Sequence, residues 1–295
     1  MRPPTARSLI LDLLSTLRRG SMPVAALVQA GALFGLAEGS VRVALSRLLA
    51  DAHVERDERG CYRLGAAAAP VQARVAGWRA LDRRTRPWDG GWIGVEAPAG
   101  SARRGAARDV ARALRLLGFE KLSAGLHLRP ANLREGVSEL RATLRGLGLP
   151  ETALVFALAE LDPADDARAR GLWDGPALVA RYRSARAGLA RSGARLPTLP
   201  AEEAMAESFL LGGRVLQQLV LDPLLPAPLV DEGERLALVE SMRDYDRLGR
   251  EAWADFLGRF GVPHRAAPAD TRWTQAAEGR AQRGEAERSS NRLTA

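Results

Sequence analysis

Residues 38–65, EGSVRVALSRLLADAHVERDERGCYRLG, decide how the first part of the chain folds. Val41, Ala44, Leu45 and Leu48 recur at helical spacing and make one apolar stripe, while Ser40, Val43, Ser46 and Arg47 fall on the other side. One face can be core and the other is free. Glu38 and Ser40 suit a first helical turn, where oxygen-bearing side chains satisfy amide hydrogens that lack partners, so the helix is predicted to open near Glu38 and to end near Asp51. VERDERGCYRL then alternates two short strand-like runs around Arg59-Gly60, which predicts a hairpin.

Working outward, SLILDLLSTL repeats Leu9, Leu13 and Leu17 at helical spacing. PVAALVQAGALFGL supplies a shorter helix, with Pro23 at its start and Gly31 and Gly35 punctuating its end. Three helices and a hairpin within roughly 60 residues predict a winged helix-turn-helix, in which the third helix enters a major groove and the wing holds phosphate. The arginines cluster where that geometry needs them. Ser46 and Arg47 are expected to face bases with Ser40 at the front of the helix, Arg42 to lie nearer the groove wall, and Arg56, Arg59 and Arg63 to hold phosphate from the hairpin. The competing reading is a small helical domain with a solvated basic face.

Composition bounds these readings without deciding them. The chain has 295 residues, 46% of them hydrophobic, enough for two or three domains with buried cores. A net charge of +8 and a pI near 10.8 suit nucleic acid. Lys121 is the only lysine among the 43 basic residues, however, so the arginine bias reads as coding composition and lowers the weight of any single arginine. No run of eighteen apolar residues occurs, which makes a membrane span or an export signal unexpected and a cytoplasmic location expected. Cys61 stands alone, as a strand residue of the hairpin, and His53, His127 and His264 are widely scattered; no disulfide, zinc cluster or other cofactor follows from spacing.

After the hairpin, Ala66 to Pro70 reads as a featureless connector and VQARVAGWRALDRRT as a linking helix, with Val71, Val75 and Trp78 on one side. GGWIGVEAP then reads as a strand, ARDVARALRLLGF as a helix with Val110, Leu114 and Leu117 on one face, and KLSAGLHLRP as an alternating strand ended by Pro130. LREGVSELRATLRGLGL is a further amphipathic helix and TALVFALAEL a strand. This order suggests a ferredoxin-like unit with helices on one face of its sheet. From Gly171 the pattern is helical, broken by DPLLP as a rigid turn. The expected fold class is α+β: a winged helix-turn-helix over 1–68, a linking helix over 69–85, a ferredoxin-like domain over 86–165, a mainly helical domain over 166–266, and a disordered tail over 267–295.

Taken in order, VRVALSRLLADAHVERDERGCYRL, WDGGWIGVE, ALRLLGFEKLSAGLHLRP, LWD and LVLDPLLP resemble the PaaX-like family of phenylacetic acid degradation repressors, across roughly residues 5–262. The resemblance implies a cytoplasmic bacterial repressor that binds double-stranded operator DNA as a homodimer and is released by an aryl-CoA thioester, phenylacetyl-CoA in the type members. The chain departs from the family pattern at Gly39-Ser40, where a larger polar residue and alanine are usual, and after DPLLP, where APLVDEGERLALVE lacks the usual tryptophan. A CoA thioester would need arginines beside an apolar, aromatic recess. That combination is richest between the central and helical parts, at Trp88, Trp92, Trp173, Arg181, Tyr182 and Arg214.

Two rival functions share this framework. The central domain also looks like that of small CRISPR-associated nucleases, but metal-dependent hydrolysis needs converging carboxylates and the first strand offers only Glu96. The other rival is a protein-interaction module. GxxxxGK[ST], GxGxxG after a strand and GxSxG are all missing, so no catalytic residue is named and no enzyme is expected.

Overall fold

The computed structural model describes residues 3–16, 21–57, 59–97 and 104–262. The chain mixes helices with two small antiparallel sheets, the α+β class expected. It begins with α1 (Ala6–Thr16), β1 (Met22–Pro23), α2 (Val24–Ala32), α3 (Glu38–Ala50), β2 (Val54–Arg56) and β3 (Cys61–Leu64). Leu9, Ile10, Val41, Leu45 and Leu48 are all buried together, each worth about 1.5–3 kcal/mol of removal from water. The hairpin turns through Gly60 at φ +76°, a left-handed conformation that glycine adopts without strain.

Three details differ from the sequence reading. β1 pairs with β3, so the sheet has three strands in the order β1-β3-β2. Gly31 does not end α2: it lies inside it, where a Cβ would stand 2.8 Å from a Val41 methyl, so its smallness is what lets α3 approach. Glu38 does not cap α3 but pairs with Arg42, one turn on, at 2.7 Å. Leu17 and the tail from 267 onward lie outside the described residues.

The stretch read as a featureless connector is helical. A single 3-10 turn over Ala66–Ala68 runs into α4 (Ala69–Ala76), followed by a 3-10 segment, Gly77–Arg84, kinked at Ala80. Alanine is the best helix former, and Pro70 sits in the first turn of α4, where a missing N–H costs nothing.

The central part runs β4 (Trp92–Glu96), α5 (Arg104–Leu116), β5 (Glu120–Ser123), β6 (Leu126–Pro130), α6 (Val137–Gly146), β7 (Leu154–Leu158). KLSAGLHLRP is therefore not one strand but a hairpin, reversed at Gly125 with φ +79°. The sheet order is β5-β6-β4-β7, with every pair antiparallel. Leu114, Leu117, Leu140 and Leu144 bring α5 and α6 onto the face that carries Ile93, Val95 and Val155. On the opposite face Trp92 and Leu128 are covered by Ala169 and Trp173 from the segment that follows.

That segment contains α7 (Pro163–Arg170), α8 (Gly175–Arg195), α9 (Ala201–Val220) and α10 (Glu232–Arg259). Asp162, Asp174 and Asp231 each accept backbone N–H groups at the start of α7, α8 and α10, caps worth about 1 kcal/mol apiece. α10 packs along α8 and α9, and its far end continues the N-terminal core: Trp253, Phe256 and Leu257, with Val262 just beyond them and Met205 of α9, pack with the leucines of α1 and α3. A chain of rings, Phe34 to Phe209 to Trp253 to Phe256 to Phe260, spans this junction at centroid spacings of 5.2–6.0 Å. The linking segment is fixed to the same helix through Arg79 on Asp246 and Arg243 on the Arg79 carbonyl. Among the described residues, no helix is long and apolar enough to cross a membrane.

Candidate nucleic-acid interface and interdomain groove

α3 buries Val41, Leu45 and Leu48 and leaves Ser40, Arg42, Ser46 and Arg47 exposed, because its apolar residues occupy one side only. The hairpin residues Arg56, Arg59 and Arg63 are exposed as well. They differ in what already holds them. Arg42 is paired with Glu38, and Arg63 with Glu55 at 3.1 Å. Arg47, Arg56 and Arg59 make no ion pair among the described residues. The Ser46 hydroxyl donates to the Arg42 carbonyl at 3.1 Å.

The hairpin tip is fixed by Asp57, whose carboxylate accepts the N–H groups of Arg59 at 3.0 Å and Cys61 at 2.8 Å. The Ser21 hydroxyl and then these amides hold the Asp57 carboxyl below its ordinary range, so the turn that presents Arg59 is built on a charged acceptor. Arg7, which the sequence did not single out, stands beside the hairpin, paired with Asp51 at 3.5 Å. All these charges are exposed, so salt screens them and each pair contributes little to stability.

The second candidate lies where the central sheet meets the helices. Two adjoining recesses of about 330 and 370 Å³ share Leu178, Arg181, Leu221 and Pro223. Of the residues read from the sequence, Arg181, Tyr182 and Arg214 line one recess, and Trp173 and Arg181 the other. Trp88 and Trp92 lie behind this surface. Trp92 is 1% exposed, stacked on Trp173 with centroids 6.2 Å apart and planes 4° from parallel, and its Nε1 donates to Asp166 at 3.0 Å. Trp88 meets Trp92 edge-on at 5.1 Å and carries the Arg170 guanidinium at 4.7 Å. These two rings brace Trp173 rather than line the groove.

Sequence reasoning missed Arg115, Glu120 and Gln218, which also line the recesses. Arg115, Arg181 and Arg214 make no ion pair among the described residues. The Nε1 of Trp173 and the Nε2 of Gln218 are buried donors without a partner among them. Burial raises the Glu120 carboxyl above its ordinary range, against the opposing charge of Arg115.

The floor of the groove is a buried polar junction built from LGF, HLRP and DPLLP. Gly118, at φ +75°, lets Pro223 approach so closely that a Cβ would stand 2.8 Å from the Pro223 backbone. Arg129, 1% exposed, donates to the Leu117 carbonyl, to Pro130 at 3.2 Å and to the Asn132 side chain at 3.2 Å; Asn132 in turn donates to the Leu224 carbonyl at 2.7 Å. The Tyr182 hydroxyl donates to Asp222 at 2.6 Å, and Asp222 also accepts the Leu224 N–H at 2.8 Å. Burial raises the Asp222 carboxyl, opposed chiefly by Arg235, itself buried and donating to the Leu225 carbonyl at 2.7 Å. The stretches LGF, HLRP, LWD and DPLLP, far apart in sequence, therefore meet at one place.

Residues 5–68 match the family model of PaaX-like protein. No curated protein sequence matches the chain. Among solved structures, uncharacterized protein Rv0674 from Mycobacterium tuberculosis is similar, with 23% identity and a TM-score of 0.53 over 84% of this chain and 98% of that one. That likeness shows a shared fold, extending well beyond the family match. The family resemblance read from the sequence is thus matched over residues 5–68, the unit from α1 to β3.

Proposed function

We propose that this protein is a cytoplasmic, DNA-binding transcriptional repressor. Residues 1–68 act as a winged helix-turn-helix with α3 as the reading helix and β2–β3 as the wing. Residues 69–85 link it to a ferredoxin-like domain over 86–165, whose β-α-β-β-α-β order and β5-β6-β4-β7 sheet support that reading. Residues 166–266 form the helical domain. One observation carries the proposal: the PaaX-like match falls on the unit whose exposed helix face and hairpin carry Arg47, Arg56 and Arg59, which make no ion pair among the described residues. Ser46 and Arg47 read base edges, with Ser40 at the leading end of the helix. Arg42 lies at the groove wall, and Arg56, Arg59 and Arg63 neutralise phosphate.

One such unit covers few base pairs, so specificity calls for a homodimer on two half-sites. A monomer mass by sedimentation at micromolar concentration, with and without operator, would contradict this. The effector is an acyl-CoA thioester, phenylacetyl-CoA by family resemblance. The groove supports it with three arginines that make no ion pair and two buried donors without a hydrogen-bond partner among the described residues, beside an apolar wall of Leu178, Leu221 and Pro223. α10 begins at the DPLLP junction and ends under the N-terminal unit, so a ligand that binds the groove better in one arrangement can bias the other. The test of function is selection of duplexes from a random-sequence pool, followed by a thermal-shift screen of acyl-CoA thioesters with and without the selected duplex. An enriched sequence, released when a thioester stabilises the protein, is the expected result. No enrichment overturns the DNA reading, and no thioester response overturns the effector alone.

A further inference from the structure

α3 presents an apolar side chain at the centre of its outer face. Val43 is 52% exposed and joins no core cluster. At about 100° per residue, the buried Val41, Leu45 and Leu48 all lie within about 40° of the direction opposite Val43. Arg47 stands about 40° to one side of Val43, with Ser40 about 20° further round, and Ser46 about 60° to the other side. Single exposed apolar residues are ordinary on protein surfaces. This one is a β-branched residue, weaker in helix propensity than leucine or arginine, at the middle of a face otherwise made of Ser40, Ser46, Arg47 and the small Gly39 and Ala50.

If the outer face of α3 lies along the floor of a major groove, the residue at the centre of that face goes deepest. The floor of that groove rewards an apolar side chain at one place, the 5-methyl group of thymine; the other base-edge features are hydrogen-bond donors and acceptors. We infer that Val43 is a specificity-determining residue that packs against a thymine methyl in the operator half-site. Four helical residues rise about 6 Å, against 3.4 Å per base pair. The thymine therefore lies within about two base pairs of the base read by Arg47. This inference rests on the proposed DNA-binding role of α3 and adds to it a partial prediction of the operator.

The test uses the full chain and the duplex selected as above. Each thymine of one half-site is replaced in turn by deoxyuridine, which removes only the methyl, and affinities are measured for the unaltered protein and for Val43→Ala. One replacement, within two base pairs of the position whose preference is lost in Arg47→Ala, is expected to weaken the unaltered protein about fourfold, the worth of one buried methyl group. Val43→Ala should bind the thymine and uracil duplexes equally while melting as the unaltered protein does. A selected duplex with no uracil effect, or the same effect in Val43→Ala, overturns the role of Val43 and leaves the DNA-binding reading standing. Failure to select any duplex overturns both.

Discussion

The arginines of the outer face of the N-terminal unit and those of the groove floor are the same residue type in opposite circumstances. Arg47, Arg56 and Arg59 are exposed and make no ion pair among the described residues. Arg129 and Arg235 are buried and spend their N–H groups on carbonyl and side-chain oxygens of neighbouring loops. An exposed guanidinium costs little to leave unpaired, because water solvates it, and so it remains available to phosphate or to a base. A buried one must be satisfied inside the fold and acts as a rivet. In a chain so rich in arginine, the partner and not the residue type separates a binding surface from a structural joint.

The interior half of this contrast predicts the larger effects. Trp253→Ala removes a ring packed between Phe209 and Phe256 and a donor to the Met205 carbonyl. It should cost about 3 to 5 kcal/mol by urea unfolding and make the N-terminal unit protease-sensitive before the rest. A single cooperative transition with near-normal stability would mean that the ring chain does not join the two parts. Arg129→Met fills similar volume but strips the Leu117 carbonyl and the Asn132 side chain of their donor, and should destabilise by about 3 kcal/mol. A neutral result would show that the junction is held by Pro223 packing on Gly118 instead.

The outer half predicts effects on binding with stability unchanged. Arg47→Ala should weaken DNA affinity by about 1 to 3 kcal/mol and relax preference at one base pair. A loss that is uniform across sequences would move Arg47 into the phosphate-binding group.

The smallest effect concerns Asp166, between the two extremes. The Arg170 guanidinium, helped by Trp92 Nε1, holds its carboxyl below the ordinary 3.8. Its contribution is therefore complete above the unfolded-state value and is lost as pH falls through the depressed folded-state value. Acid titration of tryptophan emission should show a step below pH 3.8 that Asp166→Asn removes. Persistence of the step in that variant would assign it to another carboxylate.

What the sequence made legible follows the same division. The stripe of Val41, Leu45 and Leu48 and the Arg59-Gly60 turn are local signals, and both elements formed where their spacing put them. β1 is too short to carry a pattern, and KLSAGLHLRP keeps strand-like residues on both sides of an Ala124-Gly125 reversal that has no strong turn pair. Gly31 looked like a helix stop because glycine serves both for ends and for close approach; only the position of Val41 decides. Nothing local marks Arg129 and Asn132 as buried, since their partners include residues 223–224, some ninety positions later. The tryptophans divide for a related reason: Trp92 and Trp173 are adjacent rings of one stack, and of the two Trp173 lines the recess.

The central claim, that the N-terminal unit binds duplex DNA through charge on α3 and the hairpin, is tested most directly by the salt dependence of affinity for a selected duplex, measured for the full chain and for Arg59→Ala. Each neutralised phosphate releases counterions, so the logarithm of affinity should fall steeply and linearly with the logarithm of salt concentration, and Arg59→Ala should flatten that slope by about one. Affinity that is indifferent to salt, or a slope that Arg59→Ala leaves unchanged along with the affinity itself, would contradict the account.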